Sequence, residues 1–224
     1  MSLVLHYHPL SSFCWKALIA LYEKGLTFEP RLVNLGDADE RAQLAARWPL
    51  LKIPLLEAGG RTIPETTIQI EYLEQLHPEA PALLAGDAEQ RLEIRLCDRL
   101  FDLYVMQPMQ RHVAQWLRPE AERDALTLAA TRAELRQAYG MLEQRLAGRA
   151  WATGERFSLA DCAAAPALFY AVIVEPLPAD APVLAAYLER LLARPSVQRV
   201  LDEARPYFHL YPLRHALPAR YRPA

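Results

Sequence analysis

Pro54-Leu-Leu-Glu-Ala-Gly-Gly-Arg-Thr-Ile63 reads as two short strands folded back on one another. Gly59-Gly60 supplies the backbone freedom that a tight hairpin turn needs. Pro54 stands where a strand tolerates proline, at its first residue. An X–Pro bond is trans by default, but a cis Ile53–Pro54 bond would turn the Ile53 backbone outward, free to pair with an extended peptide. Just beyond the hairpin, Glu65-Thr66 begins a helix with Ile68, Tyr72, Leu73 and Leu76 on one side. An acid in a first helical turn suits the helix dipole, so Glu65 reads as a cap or as a binding group.

Working back from the hairpin, Leu3 to Tyr7 is β-prone, and Pro9 ends it. Phe13 to Lys24 is a helix closed by Gly25, where a C′ glycine belongs. Phe28 to Val33 is a second strand, and Asp37 to Arg47 is a weakly helical stretch. The order is βαβα followed by ββα. Working forward, Pro78-Glu-Ala-Pro-Ala reads as a linker, and beyond about Gly86 every periodic segment is helical. Leu92, Leu96, Leu100 and Leu103 form one stripe, and Leu128, Leu135, Leu142 and Leu146 another. Val183 to Ala193 and Ser196 to Arg205 fit two further helices. From about residue 206, Pro206, Pro212 and Pro218 argue against a regular helix, while Tyr207, Tyr211 and Tyr221 are apolar enough to pack on something. The fold class is α/β plus all-α: an N-terminal βαβαββα domain over residues 1–77, a linker over 78–87 and an all-helical domain over 88–224.

The chain has 224 residues, enough for two small cores, with 52% hydrophobic and 23% charged residues. A formal net charge of −2 supplies no basic face for nucleic acid or an anionic membrane. The longest apolar run, Cys162 to Val174, contains Pro166 and is too short to span a bilayer. The N-terminus lacks a charged region and a cleavage site, so no signal peptide is expected. Cys14, Cys97 and Cys162 are too widely spaced for a metal site or a disulfide framework, which points to a reducing cytoplasm.

Two further segments carry chemistry. Ser158-Leu-Ala-Asp161 has the form of a capping box, with Phe157 and Cys162 as its hydrophobic staple. It reads as structural. Pro166 inside the helix it starts predicts a kink or an irregular turn. Ser11-Ser-Phe-Cys-Trp-Lys16 lies between a strand and a helix. Free backbone N–H groups there favour an anion, and a hydroxyl can hold a thiol as the nucleophilic thiolate. Equally, a serine there can be only an N-cap, and Cys14 either a redox nucleophile or a small packed hydrophobe.

Taken in order and spacing, these pieces resemble the glutathione transferase superfamily from Leu3 to about Arg205. Ser11-Ser-Phe-Cys-Trp-Lys-Ala-Leu-Ile-Ala-Leu is similar to the serine-type motif of the tau and zeta classes. The resemblance implies a thioredoxin-like first domain and Ser11 as the residue that activates the glutathione thiol, with Ser12 and Cys14 as alternatives. It implies that Ile53 and a cis Pro54 hold the cysteinyl part of glutathione, Lys52 the glycyl end, and Glu65 with Thr66 the γ-glutamyl end. It further implies a cytoplasmic homodimer with glutathione as co-substrate and no metal. A small electrophile would lie between the domains, against Tyr104, Met106, Met109, Tyr207, Phe208 and Tyr211. Phe13 and Cys14 depart from the zeta signature, so no maleylacetoacetate isomerase role is assigned. The other readings of the same constellation are a glutathione-dependent disulfide or peroxide reductase acting through Cys14, and a non-catalytic interaction module.

Overall fold

A computed structural model describes residues 2–221. Strand β1 (Leu3–Tyr7) leads into helix α1 (Ser12–Glu23), and β2 (Glu29–Leu32) into α2 (Ala38–Arg47). The hairpin β3 (Leu55–Ala58) and β4 (Arg61–Ile63) then leads into α3 (Thr66–Leu76). The sheet order is β2-β1-β3-β4. β1 pairs parallel with β2 and antiparallel with β3, and β3 pairs antiparallel with β4. Pro30, which cannot donate to a ladder, sits on the edge strand β2, where that loss costs least.

Among the described residues, the named elements that follow are helices. They are α4 (Ala88–Leu100), α5 (Gln107–Trp116), α6 (Ala125–Arg145), α7 (Leu159–Val174), α8 (Pro182–Leu192) and α9 (Pro195–Ala204). The tail beyond α9 forms short 3₁₀ turns, consistent with its prolines. α7 is the axis of the core. It packs on α1, α4 and the segment joining α4 to α5, and its residues are buried nearly throughout. Trp15 of α1 lies 4.9 Å from the Phe169 ring and 5.1 Å from Tyr170. The tail closes on the same cluster, with Phe208 and Tyr221 against Phe169 and Tyr211 against Tyr170.

Several expectations are corrected. The helix around Pro166 is continuous from Leu159 to Val174, with no irregular turn at the proline. The irregular turn lies elsewhere. Phe101–Met106 is π-helical, with the Gln107 N–H bonded to the Asp102 carbonyl. Pro108 follows directly and has no N–H to give, so a widened turn accommodates it. The Leu92, Leu96 and Leu103 stripe faces outward, at 66%, 46% and 38% exposure, while Ile94, Cys97, Asp98 and Phe101 face the core. On α3, Ile68 is 54% exposed, and Gln69, Ile70 and Leu73 point inward instead. The 78–87 linker segment is anchored to the N-terminal half. Lys24 Nζ bonds Glu74 and the Pro81 carbonyl, Glu74 accepts from the Leu83 N–H, and Leu83 is buried. Gly86 adopts φ +104°, and a Cβ there would come within 2.1 Å of Gln90 Oε1, which is committed to the Asp87–Gln90 capping box of α4.

One ionic cluster joins the two halves. Lys16 of α1 is 0% exposed, with Nζ 2.6 Å from Asp98 Oδ1 and 2.7 Å from Asp102 Oδ2. Its third donor reaches Thr67 Oγ1 of α3 at 3.0 Å, and Thr67 donates to Asp98 Oδ2 at 2.8 Å. Arg99 covers the cluster from the solvent side, contacting Thr67, Asp98 and Asp102. Removing one partner of a buried pair strands the other charge. Lys16→Met is therefore expected to cost about 3–5 kcal/mol of unfolding free energy. Urea denaturation checks this. A loss below about 1 kcal/mol, as for a surface pair, would show that the cluster does not hold the halves together.

Candidate functional site

The strand directions bring the site residues to one edge of the sheet. β4 runs in the same sense as β1, since both are antiparallel to β3. β1 and β4 therefore end at one edge, where β3 begins. α1 and α3, which follow β1 and β4, point their N-termini there, and Pro54 immediately precedes β3 at the same edge. Two helix N-termini with their free N–H groups thus meet beside a proline turn, an arrangement suited to carboxylates and a thiolate.

At the start of α1, Ser11 is the N-cap, and its Oγ accepts from the Cys14 N–H at 3.4 Å. That bond uses an acceptor and leaves the Ser11 proton free to donate. Ser12 is buried, and its Oγ accepts from Gln110 Nε2 of α5 at 3.2 Å. The turn before them is braced on three sides. Trp15 Nε1 donates to the Pro9 carbonyl at 2.5 Å, Tyr170 Oη donates to the Leu10 carbonyl at 3.0 Å, and the Ser11 N–H donates to the His8 carbonyl at 2.9 Å. Cys14 is 0% exposed, and burial pushes its thiol up to about 12 despite the stabilising contacts from Ser11 and His8. A thiol that is both inaccessible and protonated is no nucleophile at neutral pH.

Across the edge, Ile53–Pro54 is cis. Lys52 and Glu65 are exposed charges of opposite sign, Ile53 is half-buried and Thr66 is buried. Glu65 takes φ +64°, unusual for a residue with a long side chain, and gives α3 no side-chain cap. The first N–H groups of α3 are thereby left for another acceptor. Gln69 braces this region from beneath, donating to the Pro54 and Ile63 carbonyls. Neither Gln69 nor Gln110 stood out in the sequence. Gln69 does break the apolar face of its helix, and that was the available signal.

Of the residues expected around the electrophile, Met106, Met109, Phe208 and Tyr211 are buried in the core. Their apolar bulk is taken up by packing on α7 and its neighbours. Tyr207 remains near the Ser11 turn, edge-on to the His8 ring at 5.5 Å. Tyr104 is 55% exposed on the π-turn. A cleft of about 960 Å³ between the 82–86 segment, α4 and the 149–158 loop is lined by none of the residues expected to hold glutathione or the electrophile. Asp161 is fully buried and accepts from the Ser158 N–H and hydroxyl, the Ala152 N–H at 2.8 Å and Tyr187 Oη at 2.6 Å. Ser158 thus donates its hydroxyl to Asp161, whose own N–H goes to the Ser158 carbonyl. The capping segment is a structural staple, removed from solvent.

Known proteins share this architecture. The glutathione S-transferase N-terminal domain matches residues 5–81, and the glutathione S-transferase C-terminal domain matches residues 99–195. The chain is 30% identical to glutathione S-transferase 1 of Dianthus caryophyllus, over 90% of this chain and 95% of that protein. It is 35% identical to a probable maleylacetoacetate isomerase of Caenorhabditis elegans, over 41% of this chain and only 42% of that protein. A glutathione S-transferase of Methylobacterium radiotolerans, solved in complex with glutathione sulfonate, superposes with a TM-score of 0.78 at 31% identity. That match covers 89% of this chain and 94% of the other. With its sheet, helical half and paired domain matches in agreement, the chain belongs to the glutathione S-transferase superfamily and is a glutathione transferase-type enzyme.

Proposed function

We propose that the protein binds glutathione in extended form along the sheet edge, and that Ser11 holds its thiol as a thiolate for attack on a small electrophile. The observation that carries this reading is the meeting of the α1 and α3 N-termini beside the cis Ile53–Pro54 turn. In this arrangement the Ile53 backbone pairs with the cysteinyl residue, Lys52 faces the glycyl carboxylate, and Glu65 with Thr66 takes the γ-glutamyl end. Ser11 is preferred to Ser12 because the Ser12 hydroxyl is buried and engaged by Gln110. The electrophile approaches between Tyr207 and the helical half, near Gln110. Reduction through Cys14 is disfavoured by the burial of that thiol. A pure interaction module would have no need of this peptide-binding edge.

The protein is further proposed to be a cytoplasmic homodimer. Among the described residues, no helix is long and apolar enough to cross a membrane. α3 and α4 are bridged by the two-pronged Arg95–Glu71 pair at 2.7 and 2.8 Å. Around that pair Ile68, Leu92 and Leu96 are exposed, an apolar face that a second copy would cover.

Three outcomes are expected. Calorimetric titration with glutathione gives binding, with the pKa of the bound thiol, followed by thiolate ultraviolet absorbance, below that of free glutathione. Ser11→Ala raises that pKa and slows thiolate chemistry roughly ten- to a hundredfold, the value of a charge-assisted hydrogen bond of about 1.5–3 kcal/mol. Binding without a Ser11-dependent shift would transfer the role to Ser12, and no binding at millimolar glutathione would leave the interaction module. Second, an aromatic disulfide reagent at pH 8 leaves the native protein unlabelled and reacts with Cys14, Cys97 and Cys162 only after denaturation. Rapid labelling of native Cys14 would restore the reductase reading. Third, Leu92→Glu with Leu96→Glu gives a monomer by analytical ultracentrifugation, and an unchanged sedimentation coefficient would refute this interface.

A further inference from the structure

We infer that Gln69 is a positioning residue that holds the two halves of the glutathione-binding edge in register, an inference that rests on the glutathione reading above. Gln69 lies on the inner side of α3, 1% exposed, beside the buried Ile70 and Leu73. Its surroundings suit an apolar side chain, and burying an amide there is unfavourable unless its donors are used. Both are used. Nε2 donates to the Pro54 carbonyl at 2.9 Å and to the Ile63 carbonyl at 3.0 Å.

Those two carbonyls belong to different segments of the edge. Pro54 completes the cis pair with Ile53, and Ile63 ends β4, two residues before Glu65. The ladder between β3 and β4 has its final register pair at Leu56 and Ile63. The Gln69 amide joins the two segments where that ladder ends. The other side-chain atom, Oε1, is buried with no partner. A glutamine kept with one polar atom unsatisfied marks a position where its donors matter more than comfortable packing. The backbone of Ile53 on one side, and of Glu65 at φ +64° on the other, are thereby fixed in relative position before a ligand arrives. Pre-organisation of this kind strengthens binding without any contact to the ligand.

Gln69→Met keeps the volume and removes both donors, and Gln69→Asn keeps the amide but shortens its reach. Glutathione titration of both variants by calorimetry, alongside thermal unfolding, tests the role. Gln69→Met is expected to bind glutathione about tenfold more weakly, and Gln69→Asn to fall between it and wild type. The pH midpoint of the bound thiolate absorbance stays at the wild-type value, because Ser11 stands on a different element. A merely structural role would lower the unfolding temperature and leave the affinity of the folded fraction unaltered. Wild-type affinity in both variants would overturn the role, as would failure of both to fold, which would assign the bridge to global stability. Absence of binding by the wild type itself would remove the glutathione reading and this role together, an outcome distinct from a wild type that binds no better than its variants.

Discussion

The burial of Lys16 is the constraint on which the molecule turns. An ammonium group removed from water must find anionic partners, and the one acid of α1, Glu23, is paired with Arg194 instead. They come from Asp98 and Asp102, on α4 and the π-turn, and Thr67 brings in the start of α3. Three elements from both halves of the chain therefore meet at one nitrogen. Two of the helices that meet there, α1 and α3, are the ones whose N-termini frame the candidate site. A cluster of this kind is a weak source of net stability compared with apolar packing, but it tolerates little displacement. In this protein it sets the position of α1 against α3.

From that fixed pair of helices the remaining supports run outward toward the sheet edge. The Ser11 turn is held by Trp15 from within its own helix and by Tyr170 from α7. The proline turn is held by Gln69 from beneath. Ser12 is reached by Gln110 from the helical half. Each of these contacts leaves the Ser11 hydroxyl proton available, and none fills the space in front of it. The helical half thus shapes the Ser11 turn directly, through Tyr170 and Gln110.

Much of the architecture was legible in the sequence because it is written in local chemistry. Gly59-Gly60 fixed the hairpin, Gly25 marked the end of the first helix, and Ser158 with Asp161 marked the start of α7. The outer and inner faces of α3 and α4 were not legible. An apolar stripe has the same period whether it meets the protein's own core or lies outside, and on α4 the true inward face carries Asp98, which periodicity counts as polar. The partner that makes Asp98 an interior residue is Lys16, far away in the chain. The π-turn escaped for a related reason, since a widened turn leaves no distinct periodicity in the sequence. At the site, Ser11, Ile53, Pro54, Glu65 and Thr66 stood out by type and spacing, and their common edge then followed from strand order. Gln69 and Gln110 act through long-range hydrogen bonds that no local pattern encodes. Met106, Met109, Phe208 and Tyr211 looked like pocket residues because aromatic and thioether side chains serve cores and pockets alike.

The near-complete burial of α7 bears on how such a protein diversifies. A helix packed on every side accepts few replacements, and the run Ala163-Ala164-Ala165 followed by Ala167 leaves no volume in which to try larger ones. Heritable variation is accordingly channelled to the segments around it. The 3₁₀ tail and the exposed side of the π-turn carry Tyr207 and Tyr104, which can change without disturbing that axis. A tightly packed centre with a permissive rim lets the surface around the candidate site change while the core that positions its helices stays in place.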